Sequence, residues 1–319
     1  MMKLRYLFEN FDLARLALSR YPHDEETLDQ YLRHFRISSN AVYPYASNGK
    51  RCFLRLAPVE EKSFEDIRAE VEYIHCLRQN GYPAMKPIAD KKGQWVSVLE
   101  TPQGRWCASA FEGVSGVPAE EALTDKRCVF EMGASLGRLH ALSREYRPQY
   151  RRPDHQEILS DIRRMLETSH TPSAVFDRLE ELSGELSRLP VTEANYGLLH
   201  YDFEPDNVFW DARTQTCSVI DFDDSMYGWF SLDIEQALAE LPDKACAEVF
   251  LSGYRTMSPY TEEMEAQRPL MRRFILLRAY ARLLHCLNDE IADPPEWMKA
   301  MCRKLISAKQ KLESDILDK

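Results

Sequence analysis

The stretch that most constrains this chain is HYDFEPDNVFWD at residues 200–211, followed eight residues later by the acid-rich VIDFDDS. Apolar residues around 207–210 and 218–222 predict two short strands joined by a turn at 211–214. A core strand holds an unpaired carboxylate only at a cost of several kcal/mol, roughly 2–7 for a neutral polar group and more for a charge. The acids between these strands therefore call for a cation.

Asp202 and Asn207 flank Glu204 and Pro205, and the proline turns the residue before it away from helix, so this segment reads as a loop. Asp221 sits where the second strand stops. A loop carboxylate, a loop amide and a strand-end carboxylate are hard oxygen donors of the kind Mg²⁺ takes together with water and phosphate oxygens. Cys217 lies too far down its strand, and is too soft a donor, to argue for zinc. Each residue alone has an ordinary alternative: His200 as a packed ring, Asn207 closing an Asx-turn, the aspartates capping turns. Taken jointly, the spacing His-x-Asp-x4-Asn and then Ile-Asp-Phe favours a site.

The surrounding pattern changes along the chain. Residues 4–20 and 24–35 predict helices. Segments rich in β-formers flank Asn48-Gly49, a hairpin signature. Ser63 predicts an N-cap for a helix over 63–77, ending at Asn80-Gly81. Strands are predicted at 95–99 and 106–111, separated by a turn at 102–104. Glycine and proline at 113–118 predict a linker. Helices then follow over 127–143, 154–168, 173–189, 232–241, 245–254, 262–287 and 297–317, interrupted only by the acidic hairpin. The expected fold class is α+β, with a sheet-rich unit at 1–112 and a mainly helical unit at 113–319, and a ligand cleft between them.

Composition narrows the partners. With 41 Lys+Arg against 51 Asp+Glu the formal charge is −10, which disfavours general binding to nucleic acid or anionic membrane. Eight scattered cysteines without a CxxC predict free thiols. The first residues lack the uninterrupted apolar run of a signal peptide, and no segment reaches the roughly 18 apolar residues of a membrane span. A cytoplasmic protein is expected.

HYDFEPDN and IDFDD resemble the HGD-x4-N and IDF-x-[DE] patterns of the aminoglycoside phosphotransferase and choline kinase-like group of small-molecule kinases. The resemblance covers residues 35–290, with distinctive motifs and a weaker match over the sheet-rich part. It implies a protein-kinase-like bilobal fold, with ATP and Mg²⁺ clamped between an antiparallel-sheet lobe and a helical lobe. By it, Asp202 orients the acceptor hydroxyl and takes its proton, Asn207 and Asp221 hold the metal, and His200 supports the loop beneath Phe222. Arg55, on the opposite strand face from Leu54 and Leu56, stands where protein kinases place lysine, with Glu70 as its partner. Ser39 and Asn40 fall in the turn that faces phosphate, and Phe111 and Glu112 fall where an adenine rests. Tyr201 departs from the pattern, replacing glycine.

The string FDDSMYGWFSLDIEQAL is similar to homoserine-kinase-type members. Glu204, Asp223 and Asp224 are expected to meet an ammonium-bearing alcohol, or one of the last two to assist the metal. Tyr227 and Trp229 are read either as an aromatic wall for a cation or as packing under the helix begun near Leu232, and Asp233 as a helix-starting or loop-tethering acid. The expected activity is ATP-dependent phosphorylation of a small, amine-bearing hydroxyl compound. A protein Ser/Thr kinase of the same fold and a non-catalytic nucleotide-binding scaffold are the alternatives.

Overall fold

A computed structural model describes residues 1–102, 104–289 and 291–318. Two short helices, α1 (Phe11–Leu18) and α2 (Leu28–Leu32), lead into the strands β1 (Arg36–Ile37), β2 (Ala41–Ser47) and β3 (Lys50–Pro58). Helix α3 (Phe64–Gln79) follows, then β4 (Lys86–Ile88), β5 (Val96–Thr101) and β6 (Gly104–Glu112). These strands form one antiparallel sheet in the order β1-β2-β3-β6-β4, with β5 also on β6. The expected hairpin turn is present: Asn48 and Gly49 take φ values of 52° and 71°, the left-handed pair such a turn needs. Asp24 fixes it by accepting from both of their amides at 2.9 Å. Ser63 caps α3, accepting from the Asp66 amide at 3.0 Å. Gln103, in the expected turn at 102–104, lies outside the described residues.

The second region begins with β7 (Val117–Pro118), then α4 (Lys126–Glu145), α5 (His155–Glu167) and α6 (Ser173–Leu186). Next come β8 (Tyr196–Leu198), β9 (Val208–Asp211), β10 (Thr216–Val219) and β11 (Tyr227–Trp229). Helices α7 (Phe230–Ala239), α8 (Lys244–Arg255), α9 (Glu262–Leu287) and α10 (Glu296–Leu317) complete the chain. The whole is a bilobal, protein-kinase-like architecture, a sheet-rich region followed by a mostly helical one.

Two differences from the sequence reading bear on the site. The glycine-rich stretch expected as a linker ends in a strand: β7 pairs with β9, because Gly116 comes so close to the Trp210 carbonyl that a Cβ would sit 2.3 Å from it. Strands β8 and β11 pair with each other and carry Trp229 into the interior, leaving Tyr227 half-buried. Buried residues of α4, α7, α8 and α9 form one continuous core with the hairpin strands, so the acids are displayed on a rigid base. Helix α10 packs on this chain's own α9, where the Tyr280 hydroxyl donates to Glu313 at 2.6 Å. All eight cysteines are free, and no helix among the described residues is long and apolar enough to cross a membrane.

Candidate active site

The loop from His200 to Asn207 is held from below by one carboxylate. Asp233, at the start of α7 and fully buried, accepts from the amides of His200 at 2.9 Å and Tyr201 at 2.7 Å. It also meets His140 Nε2 at 3.0 Å, while His140 Nδ1 takes the Tyr254 hydroxyl at 2.8 Å. Burial pushes the His140 pKa down, which suits a neutral ring donating through Nε2. The expected tether at Asp233 is thus present.

His200 is fully buried, with its ring 4.5 Å from that of Phe222. Its Nδ1 accepts from the Asp202 amide at 3.2 Å and its Nε2 donates to the Ile220 carbonyl at 2.9 Å. One tautomer satisfies both bonds, and the ring links the Asp202 loop to the strand end that carries Asp221. Buried and bonded through both nitrogens, it supports the loop.

Asn207 spends its amide hydrogens on Asp202, donating to the main-chain oxygen at 3.0 Å and to Oδ2 at 2.8 Å. Its carbonyl oxygen accepts no hydrogen bond among the described residues. Asp221 takes a left-handed φ of 59°, which ends the strand and turns the side chain into the cleft. Burial, with the Asp224, Glu204 and Asp221 charges, pushes Asp202 up to about 8. Burial and then Asp223 push Asp221 up as well. Acids that resist ionisation in this way are short of positive charge. No cluster of three His, Cys, Asp or Glu side chains suited to a metal occurs among the described residues. An amide oxygen and one carboxylate, completed by phosphate oxygens and water, is the partial donor set that Mg²⁺ tolerates.

The opposite wall comes from the sheet. Arg55 on β3 and Glu70 on α3, both buried, form a two-pronged pair, with Nη1 to Oε1 at 2.8 Å. Arg55 Nη1 also lies 3.7 Å from Asp221 Oδ1, so the sheet cation and the strand-end acid face each other across the cleft. Burial opposes the Arg55 charge, but Glu70 and the cleft aspartates raise its pKa further. Ser39 and Asn40 fall in the β1–β2 turn, as expected. Their side chains, however, are tied down: Ser39 Oγ accepts from Arg282 at 2.9 Å and Asn40 Oδ1 from Lys62 at 3.2 Å.

Other residues expected at the site have definite surroundings. Phe111 and Glu112 end β6, still paired with β3 and β4, and the Gly113 amide carries the pairing one residue further by donating to the Arg51 carbonyl at 2.9 Å. The Phe111 ring is buried 5.1 Å from the Arg55 guanidinium, and Glu112 is bridged by Lys86 at 2.6 Å. Trp229 is 1% exposed, packed on His155 and Tyr196, with its Nε1 donating to the Pro190 carbonyl at 3.0 Å. Tyr227 lies beside it on β11 and its carbonyl takes the Tyr196 hydroxyl at 3.0 Å. Strand pairing thus turns the Trp229 ring into the core and away from the cleft, while Tyr227 stays half-buried.

The acids expected to greet an ammonium already have partners. Asp223 is paired with Lys62, and Asp224 with Arg282 and, at 3.3 Å, Arg278. Burial works against the Asp224 charge, yet these arginines hold its carboxyl far below the usual carboxylate range. Glu204 accepts from Gln236 on α7 at 3.2 Å. Sequence reasoning missed Lys62, Arg152, Arg278 and Arg282. Arg152 is a buried clasp that donates to the carbonyls of Asp66 at 2.9 Å, Ser225 at 2.7 Å and Asp223 at 2.5 Å, joining α3 to the acidic loop. One signal was available for the α9 pair: two arginines four residues apart in the apolar FILLRAYARLL require counter-charges.

Tyr201 has a definite place. Its φ is 59°, a left-handed value that costs a non-glycine residue roughly 1–2 kcal/mol. The ring lies in the helical region, 3.9 Å from the Arg278 guanidinium and 6.1 Å from the Phe274 ring. Cation–π contact and burial of the ring offset the backbone strain.

A cavity of about 670 Å³ opens beside these groups, lined by residues of the N-terminal segment, the β3–α3 loop, α5 and α9, with Asp224 and Arg282 among them. A smaller one of about 240 Å³ lies between α5 and α6, away from the acidic hairpin.

A two-lobed cleft with a buried Arg–Glu pair on the sheet and an Asp–Asn–Asp set on the helical side defines a kinase-like phosphotransferase fold. The chain belongs to the APH phosphotransferase enzyme family, whose profile matches residues 35–266. It is 26% identical over 299 residues to an amicoumacin kinase of Bacillus subtilis (strain 168), covering 89% of this chain and 85% of that protein. Among solved structures it superposes on amicoumacin kinase hAmiN, solved with AMP-PNP and Ca²⁺, with a TM-score of 0.78 at 23% identity, covering 98% of this chain and 95% of the other. A microcompartment-associated aminopropanol kinase gives a TM-score of 0.73 at 22% identity, covering 96% of each chain. Family membership supports ATP-dependent phosphoryl transfer to a hydroxyl group.

Proposed function

We propose that this chain is an ATP- and Mg²⁺-dependent kinase that phosphorylates a hydroxyl of a small, amine-bearing metabolite. The observation that carries this reading is the Asp202–Asn207–Asp221 set facing the Arg55–Glu70 pair: acids short of positive charge opposite a fixed cation. Asn207 Oδ1 and Asp221 would hold Mg²⁺, which when bound neutralises charge on the β and γ phosphates. Arg55, oriented by Glu70, meets a phosphate of the nucleotide. Asp202 receives the acceptor hydroxyl, fixed by the Asn207 amide and by the loop bonds to Asp233.

In the transfer, the acceptor oxygen forms a bond to the γ phosphorus as the bond from that phosphorus to the β–γ bridging oxygen breaks. The bridging electrons leave with ADP, and the hydroxyl proton passes to Asp202. An oxygen loses its proton late in such a reaction, so a carboxylate is a strong enough base. The amine on the acceptor is supported by the named substrate of one relative, an aminopropanol kinase.

Mg²⁺ and ATP with a panel of amino alcohols, sugars and homoserine, followed by phosphorus NMR, test the reading. A phosphomonoester on a small hydroxyl supports it. Nucleotide binding with no transfer to any acceptor contradicts it.

A further inference from the structure

The walls of the 670 Å³ cavity do not share the charge of the chain that builds them. The chain carries 51 acids against 41 lysines and arginines, but the cavity is lined by six lysines and arginines and five acids. Several of these cancel in pairs: Arg5 with Asp289, Arg164 with Asp161, His285 with Glu61. Lys62 is committed to Asp223 and Asn40. A surplus remains at the end that Asp224 closes.

There, Arg278 and Arg282 lie one turn apart on α9 and share a single carboxylate, Asp224. Like charges at this spacing repel, and one carboxylate neutralises only one of them. Asp202 is the next acid within electrostatic reach of Arg282, and in the proposed transfer it meets the acceptor hydroxyl. Neither guanidinium is free to swing away. Arg278 is stacked 3.9 Å from the Tyr201 ring and lies 3.2 Å from the Met226 sulfur, while Arg282 donates to Ser39 at 2.9 Å. The Arg282 side chain keeps 30% of its surface open. Tyr201 sits where glycine would fit without strain, so its aromatic face is what the position gains.

We propose that Arg278 and Arg282 form an anion subsite in the acceptor pocket, with Tyr201 as its positioning residue, and that the acceptor is a short hydroxy acid or hydroxy amino acid whose carboxylate docks there. The proposal rests on the reading of Asp202 as the residue that receives the hydroxyl. A guanidinium fork matches a carboxylate in geometry as well as charge. A polycationic acceptor meets repulsion at the same place. The shared chemistry is an oxyanion, and the transferring phosphate of the nucleotide is its other possible source.

Acceptors differing only in the carboxylate separate the outcomes: L-homoserine against 3-aminopropan-1-ol, and L-serine against 2-aminoethanol, each with ATP and Mg²⁺. The wild-type protein should favour the carboxylate member of at least one pair by about tenfold or more in kcat/KM. Equal or reversed preference overturns the subsite. So does transfer only to uncharged sugars, although that result leaves the phosphotransfer reading standing. Transfer to nothing in the wider hydroxyl panel sinks both.

Arg278→Met should raise the KM of the preferred acceptor about tenfold while the KM of ATP stays put. A rise in the KM of ATP instead assigns the arginines to the nucleotide phosphate and overturns the proposal. Tyr201→Leu should reproduce the acceptor effect and Tyr201→Phe, which keeps the ring, should restore the low KM. A wild-type acceptor KM in Tyr201→Leu removes the tyrosine from the subsite. The wild-type preference within each pair remains decisive even where a variant fails to fold.

Discussion

Replacing Asp233 with asparagine tests whether the Asp202 loop is held by one buried carboxylate. In the native chain that carboxylate serves three donors, the amides of His200 and Tyr201 and the His140 ring, with no exposure to water. Asparagine matches the shape but offers a single acceptor oxygen, and its amide group confronts one of the donors. At least one buried N–H is then left unsatisfied, at about 1–3 kcal/mol, and a charge-assisted bond worth about 1.5–3 kcal/mol becomes a neutral one. The neutral bond retains part of that worth, so the total is about 2–4 kcal/mol, overlapping the range for breaking a buried ionic network. Urea unfolding followed by tryptophan fluorescence should show that loss. Because the loop carries Asp202, turnover should also fall by about a hundredfold, the effect expected of a shift of about 1 Å at the reacting group. An unfolding free energy within about 0.5 kcal/mol of wild type, or full turnover, would refute the tether.

Three further outcomes follow from the same geometry. Glu70→Ala leaves the buried Arg55 cation unpaired and should cost about 3–5 kcal/mol of stability together with a raised KM for ATP, read by urea unfolding and initial rates. In the metal-free and nucleotide-free protein Asp202 binds its proton more tightly folded than unfolded. Its contribution is therefore complete below about pH 4 and is lost as the pH rises towards 8, so stability should decline over that range and Asp202→Asn should flatten the decline, measured by urea midpoints. Gly133→Ala places a Cβ 1.9 Å from the Phe250 carbonyl where α4 meets α8, and should destabilise by about 1–3 kcal/mol without changing the KM of either substrate.

The parts of this molecule legible in the sequence are those whose residues lie close together along the chain. Asp202, Asn207 and Asp221 fall within one loop and one hairpin, and the Asn48-Gly49 turn and the Ser63 cap are local as well. Long helices were legible because their period repeats: α9 was expected over 262–287 and runs Glu262–Leu287. Strands of two or three residues, such as β1, β7 and β11, are too short to show alternation. The counter-ions were the main loss. Asp224 finds its partner 58 residues away on α9 and Asp223 its partner 161 residues back in the β3–α3 loop, so both acids read as free. Tyr201 was legible as a departure from a pattern, but its reason, the Arg278 guanidinium, is set by tertiary packing.

The central claim is that Asp202 takes the proton of an acceptor hydroxyl during transfer from ATP. Phosphate transfer by wild type and by Asp202→Asn, with nucleotide affinity measured on both, tests it most directly. The account predicts similar affinity for Mg²⁺-ATP and a fall in turnover of about 10²–10⁴ in the variant, the usual contribution of a positioned base. Transfer by the variant at the wild-type rate would contradict it.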